Sequence, residues 1–407
     1  MGVISVFVKF DAAQDLLKRY GSPLYVYSES ILRQRCRDLL EAFRGRIKPS
    51  FSAKSNTNLS LLKIIREEGL GADAMSPGEI FVLQNAGFAP EEIFYIGNNV
   101  SCEEMSYCIE RGILVSVDSL SQLEQFGQID PGGRVAVRFN PGMGAGHCEK
   151  VITAGHKTKF GVQSEFYPEV KKIVEKYDLK LVGINQHIGS LFLEAEPYVN
   201  AAKSLLDMIA ENFPGLEFID FGGGFGVPYK PGEKRLDLNE LSERLFETID
   251  LFLNKYDNQN VHFKCEPGRY ISAECGLLLG TVHAVKKNYG KYYVGTDIGF
   301  NVMMRHVLYD SYHEIEVLSD KKAVNGINEA TIVGNICESG DILASDRNIG
   351  PVSEGDIIAV KNAGAYGYSM ASNYNCRLRP AEVLMAEDGS TRLIRKADAM
   401  ESLMTNF

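Results

Sequence analysis

The sequence predicts an α/β fold, a (β/α)8 barrel joined to an antiparallel β-sandwich or β-barrel domain. Two observations point there. Eight short apolar or β-rich runs alternate with amphipathic stretches between residues 47 and 270. After about residue 270, strand-like runs follow one another with few helical patterns between them. At 407 residues and 45% hydrophobic content, the chain can bury a large core and form two domains.

The eight runs are Pro49–Ala53, Gly71–Met75, Ile93–Gly97, Leu114–Asp118, Val135–Pro141, Leu181–Ile188, Phe218–Gly222 and His262–Pro267. Leu59–Glu68, Pro77–Ala86, Glu103–Arg111 and Tyr198–Asn212 lie between them. Their apolar residues recur every three or four positions, as in helices packed on a sheet. Such alternation implies a parallel sheet, and a count of eight favours closure over an open doubly wound sheet. The strand-like runs of the second domain are Leu277–Val285, Tyr292–Asp297, Glu314–Val317, Ala330–Ile336, Asp356–Val360, Ala381–Met385 and Thr391–Arg395. Pro23–Tyr27 precedes the barrel and is expected to add a strand to that domain. The expected boundaries are therefore 28–275 for the barrel, with 1–27 and 276–407 forming a discontinuous β domain. Gly142–Lys159, with glycines at 142, 144, 146 and 155, reads as a long loop after the fifth run.

Composition excludes several classes. A formal charge of −10 argues against nucleic acid or an anionic membrane as the main partner. No apolar run approaches the ~20 residues of a membrane span, and Met1–Phe10 lacks the basic start and small-residue cleavage site of a signal peptide. The eight cysteines show no repeated CxxC or Cys/His ligand spacing, and the seven histidines no HExxH. This reads as reduced thiols in a cytoplasmic protein without a metal site.

Glu266, in Phe263-Lys264-Cys265-Glu266-Pro267-Gly268-Arg269, ends the eighth run. Gly222-Gly223-Gly224-Phe225-Gly226 ends the seventh, where such barrels hold a phosphate. Glycines there let backbone N–H groups approach an anion. A carboxylate beside a phosphate site can keep a pyridine nitrogen protonated, the electron sink by which pyridoxal 5'-phosphate stabilises carbanions. At an effective dielectric near 20, such a contact is worth on the order of 4 kcal/mol before desolvation. An arginine in its place would leave the nitrogen unprotonated, so the carboxylate favours loss of CO2 over racemisation. Lys54 ends the first run and can form a Schiff base with an aldehyde cofactor; in isolation it would be a solvated loop lysine. His187 ends the sixth run in His187-Ile188-Gly189-Ser190, where a flat imidazole can stack on a ring and Ser190 can meet a phosphate. Cys337, in Asn335-Ile336-Cys337-Glu338-Ser339-Gly340-Asp341, could protonate a carbanion as a general acid. Arg269 and Arg305 carry the donor forks that suit carboxylates.

With these residues assembled, the chain resembles the alanine-racemase-fold (type III) pyridoxal-phosphate decarboxylases, nearest the diaminopimelate decarboxylases. The likeness runs from Pro23-Leu24-Tyr25-Val26-Tyr27 to Leu378-Arg379-Pro380-Ala381-Glu382-Val383-Leu384. It implies a lyase of lysine biosynthesis that converts meso-2,6-diaminopimelate to L-lysine and CO2. By that likeness Lys54 would carry the cofactor, with His187 stacked on its ring. Ser190, Gly223, Gly224, Glu266, Gly268, Arg269 and Tyr366 would hold its phosphate and ring nitrogen. Cys337 would be the proton donor and Glu338 the ligand of the distal amine. Arg269, Arg305, Tyr309 and Tyr366 would bind the rest of the substrate. The likeness also implies a homodimer, with Cys337 and Glu338 reaching into the partner's barrel. One departure stands out: many of these decarboxylases have glutamine or glycine after His-Ile-Gly-Ser, and here Leu191 follows. Relatives acting on D-lysine, D-ornithine, carboxynorspermidine or modified amino acids share the cofactor residues, so another amino acid is the alternative substrate.

Overall fold

A computed structural model describes residues 6–142, 145–146, 153–155, 158–320 and 329–407. The chain divides into two compact units. One comprises Arg33–Val227 and Arg235–Ile271; the other comprises the described residues up to Leu32, Pro228–Lys234 and Ser272–Phe407.

The first unit is a closed barrel of eight parallel strands. They are Ile47–Ser52, Gly71–Ala74, Ile93–Ile96, Leu114–Val117, Arg134–Asn140, Lys180–Asn185, Phe218–Asp220 and His262–Cys265. Each pairs with the next, and the eighth returns to the first, with Phe263 opposite Ile47 and Cys265 opposite Pro49. The eight strands are those expected from the runs, each trimmed or shifted by a few residues. Their inward apolar residues fill the barrel: Phe94, Ile96, Ala136, Val182 and Phe218 form a buried cluster with Met75 and Leu114 against it. Burying each of the larger side chains fully is worth about 1.5–3 kcal/mol.

The helices begin abruptly because short polar side chains cap them. Asn58, Ser76, Ser101 and Ser119 each accept a backbone N–H from the first turn of the helix that follows, at 2.9–3.3 Å. Each such cap is worth about 1 kcal/mol and sets where a strand-to-helix turn stops. Most of the expected Gly142–Lys159 loop lies outside the described residues. Gly142 and Gly155 of this loop are tied to Asn140, whose amide donates to Gly155 O and Phe160 O and whose oxygen accepts from Gly142 and Gly155 N–H.

The second unit is a mixed sheet. Its order runs Ile342–Asn348, Glu329–Val333, Lys291–Thr296, Gly276–Asn288, Leu24–Ser28, Ala381–Met385, Thr391–Arg395, with Ile357–Val360 pairing Gly276–Asn288 and Ile315–Leu318. Leu24–Ser28 is the strand anticipated at Pro23–Tyr27; it lies antiparallel to Gly276–Asn288 and parallel to Ala381–Met385. Lys291–Thr296 and Glu329–Val333 are also parallel, and the other pairings are antiparallel. Helix Phe10–Tyr20 and strand Ile342–Asn348 are among the elements that went unread in the sequence. Helix Phe10–Tyr20 packs Ala13 and Leu16 into the core of Leu24, Val26, Leu277, Leu279 and Val383. Strand Ile342–Asn348 has a polar outer half of Ser345, Asp346, Arg347 and Asn348, which hides its period.

Candidate active site

The barrel unit gathers its polar residues at the C-terminal ends of its strands, the end where such barrels carry chemistry. Lys54 sits in a single 3-10 turn, Ala53–Ser55, directly after the first strand. Its Nζ lies 3.6 Å from Asp73 Oδ2, on a second-strand residue only 1% exposed. Ser52 donates to the Glu266 carbonyl at 3.0 Å, which ties the first strand's end to the eighth's.

Glu266 is 3% exposed, and its backbone N–H donates to Gly222 O at 2.9 Å. Its Oε1 has no hydrogen-bond partner among the described residues. Burial first, then Asp220 and Asp73, holds this carboxyl well above the usual carboxylate range, while Lys54 and Arg138 pull the other way. Burial likewise raises Asp73 against the pull of Lys54 and pushes Asp220 up to about 6. Three carboxyls thus meet two cations at this end of the barrel, and burial raises all three acids against the pull of the cations.

The turn Gly222–Gly224 admits no side chain. A Cβ would stand 2.2 Å from Gln186 O at Gly222 and 1.9 Å from Glu266 O at Gly223. At Gly224, with φ +109°, it would stand 2.3 Å from the Phe192 ring. The Gly223 N–H donates to His187 Nδ1 at 3.1 Å, so that nitrogen carries no proton. Burial, with Lys54 and Arg138 adding, holds His187 well below the ordinary histidine value, leaving a neutral, flat imidazole. Ser190 Oγ accepts from Arg269 Nη2 at 3.0 Å, and Arg269 is 5% exposed. A Cβ on Gly268 would come within 2.9 Å of Ser52 Cβ.

The barrel unit therefore holds Lys54, His187, Ser190, Gly223, Gly224, Glu266, Gly268 and Arg269. The other unit holds Arg305, Tyr309, Cys337, Glu338 and Tyr366. There Arg305 is buried, donating to His313 Nε2 at 3.1 Å and to Ser311 Oγ at 3.3 Å, with its guanidinium over the Tyr229 and Tyr366 rings. Tyr309 ends the short helix Arg305–Tyr309 and is half-buried. Cys337 and Glu338 are exposed. Asp341 is structural: its carboxylate accepts the N–H groups of Phe300 and Ile336 at 2.7 and 2.8 Å.

Sequence reasoning missed Asp73, Arg138 and Asp220. Asp73 and Asp220 are each the lone charge of a short strand, in Gly71-Ala72-Asp73-Ala74 and Phe218-Ile219-Asp220, and Arg138 interrupts the apolar run Val135-Ala136-Val137-Arg138-Phe139. That isolation was the available signal. A cavity of about 890 Å³ opens at the opposite end of the barrel, lined by Lys48, Glu92, Glu217 and Lys264 among others, away from all of these residues.

The arrangement fits a phosphorylated pyridine aldehyde. Glu266 is a buried acceptor one positive charge short of balance, a protonated ring nitrogen would supply that charge, Lys54 is an amine within the same group, and the glycine turn with Ser190 and Arg269 suits a phosphate. Among the described residues, no group of histidine, cysteine and acidic side chains could hold a metal ion. No described helix is long and apolar enough to cross a membrane.

Comparison with known proteins agrees. Residues 29–273 match the family described as pyridoxal-dependent decarboxylase, pyridoxal binding domain. The chain is 40% identical to the diaminopimelate decarboxylase of Methanothermobacter thermautotrophicus over 96% of its own length and 93% of that protein's. It is 32% identical to the diaminopimelate decarboxylase of Escherichia coli K12 over 96% of each chain. The crystal structure of diaminopimelate decarboxylase from Helicobacter pylori complexed with L-lysine superposes with a TM-score of 0.88 at 32% identity, covering 96% of this chain and 98% of that one. The chain accordingly belongs to the pyridoxal-dependent decarboxylases, in the company of the diaminopimelate decarboxylases.

Proposed function

We propose that this protein decarboxylates meso-2,6-diaminopimelate at its D-configured centre, giving L-lysine and CO2 with pyridoxal 5'-phosphate as cofactor. The observation that carries the reading is Glu266, a buried carboxyl with an unpartnered oxygen beside a side-chain-free glycine turn. When bound, the cofactor supplies a protonated pyridine ring that draws off the electron pair left by departing CO2. Glu266 keeps that ring nitrogen protonated. Lys54 would supply the amine that holds the cofactor's aldehyde. His187, neutral and flat, covers the ring face, and Ser190, Arg269 and the Gly223 and Gly224 backbone take the phosphate, with Gly268 keeping that corner open. Cys337 delivers the proton to the carbon that has lost CO2, and Glu338 receives the distal ammonium. Arg305, Tyr309 and Tyr366 complete the substrate's distal end.

The reading includes a cytoplasmic homodimer in which Cys337 and Glu338 serve the partner's barrel. All seven described cysteines are free thiols, which supports a reducing compartment. The names carried by the relatives support diaminopimelate over other amino acids. Leu191, which follows His-Ile-Gly-Ser where many of the family have glutamine or glycine, sits at φ +71°; another amino acid is the alternative substrate.

The test is CO2 release by purified holoenzyme from meso-diaminopimelate, D-lysine, D-ornithine and carboxynorspermidine in parallel. Diaminopimelate should be fastest, with L-lysine the amino-acid product. Faster turnover of D-lysine, or none of diaminopimelate, overturns the substrate assignment.

A further inference from the structure

Cys337 and Glu338 project from an exposed turn, and an exposed cysteine or glutamate ordinarily samples several rotamers. Here two consecutive residues of another turn hold them. The Asn375 carboxamide engages Cys337 at both ends: its oxygen accepts the Cys337 N–H at 3.1 Å, and its Nδ2 donates to Cys337 Sγ at 3.2 Å. The neighbouring Tyr374 hydroxyl donates to Glu338 Oε1 at 2.5 Å. The Tyr374 ring stacks on Phe300, with centroids 5.5 Å apart and planes at 25°. Asp341 accepts from both Phe300 and Ile336 N–H, so one carboxylate ties the platform under Tyr374 to the turn that carries Cys337. Arg377 closes the frame by donating to Asn335 O at 3.1 Å. Asn375 and Cys376 both adopt left-handed backbone, at φ 57° and 54°. Two successive non-glycine residues in that region are strained, and such strain persists where the surroundings over-determine it.

We propose that Tyr374 and Asn375 are the positioning residues of the reaction, Asn375 orienting the Cys337 thiol and Tyr374 orienting the Glu338 carboxylate. The chemistry of the amide makes the point specific. Because Sγ accepts an N–H from Asn375, the thiol's own hydrogen is left to point elsewhere, toward an incoming carbon. An aspartate at 375 would still accept the Cys337 N–H, but with no donor for sulfur it would draw the S–H inward. The proposal rests on the reading of Cys337 as proton donor and Glu338 as amine ligand.

The holoenzyme and its variants are assayed with diaminopimelate in D2O, where the carbon that loses CO2 gains one deuteron. An acid held on one face gives one configuration of the labelled carbon. Asn375→Ala should lower kcat by roughly tenfold or more, scramble that configuration, and speed hydrogen exchange of the Cys337 amide by about fivefold. Asn375→Asp should keep the amide protected yet share the loss of kcat and configuration, an outcome that a merely structural role would not produce. Tyr374→Phe keeps the stacking and loses the hydroxyl; KM for diaminopimelate should rise by roughly tenfold with kcat within about twofold. Wild-type kcat and configuration in Asn375→Asp, or an unchanged KM in Tyr374→Phe, overturns the corresponding half. Cys337→Ala separates the two levels. If it retains full rate and one configuration, the acid reading fails and the proposal falls with it. If it is slow while Asn375→Ala is not, the clamp alone fails.

Discussion

Glu266 and Asp73 show what burial does to a single carboxyl. The Glu266 carboxyl is raised well above its ordinary value by burial and by its acidic neighbours. A raised folded-state value means that its contribution to stability is complete below about pH 4.5, the unfolded value, and is lost as pH rises through the folded one. Cofactor-free protein should therefore weaken from mildly acid to alkaline pH, and Glu266→Gln, which has nothing to ionise, should not share that loss. At pH 8 the variant should be more stable than wild type, with the gap closing toward pH 5. Thermal unfolding of the apoproteins at both pH values checks this, and the order should reverse once pyridoxal phosphate is bound, because only the carboxylate can hold its ring nitrogen. Lys54, His187 and Glu266 were legible because each ends a strand-like run in a recognisable local pattern. Asp73, Arg138 and Asp220 were not, because a strand's inward parity is decided only when the barrel closes.

The rhythm of strands and helices was legible at the scale of elements because short apolar runs alternate with stretches of period 3.6, and Asn58, Ser76, Ser101 and Ser119 cap the helices that follow them. Helix Phe10–Tyr20 escaped notice for the opposite reason, since its N-cap is Lys9, which makes no side-chain cap. The turn after the seventh strand is the element most sensitive to change. At Gly223 a Cβ would lie 1.9 Å from the Glu266 carbonyl, a backbone atom that cannot swing aside. Gly223→Ala should destabilise the protein by about 2–4 kcal/mol, within the range of overpacking plus a lost close approach. It should also weaken binding of pyridoxal phosphate more than tenfold, whereas Gly232→Ala, with nothing within 4 Å of its Cβ, should leave cofactor binding at the wild-type level. Fluorescence titration of the apoproteins with the cofactor measures both.

The proposed assembly has a consequence at the scale of the whole molecule that no single chain can mimic. Lys54 belongs to the barrel unit and Cys337 to the other. If each site takes its lysine from one chain and its thiol from the partner, Lys54→Ala and Cys337→Ala are inactive apart but complement each other together. Random reassortment of the two should restore about a quarter of wild-type activity, since half the dimers are mixed and each has one intact site of two. Absence of recovery, with mixed dimers shown to form, would reject the shared site.

What the sequence by itself determined is whatever rests on local pattern: eight strands and their helices, the family and the cofactor. The tertiary structure alone decided which lone charges face one another. Carboxyls from the second, seventh and eighth strands meet Lys54 and Arg138 only because those strands curl into a closed cylinder, and burial there raises the Glu266 carboxyl well above its ordinary range. The same holds for Tyr374 and Asn375, which lie 36 and 38 residues from the side chains they hold; contact across such a separation is set by how the chain packs, which no local spacing encodes.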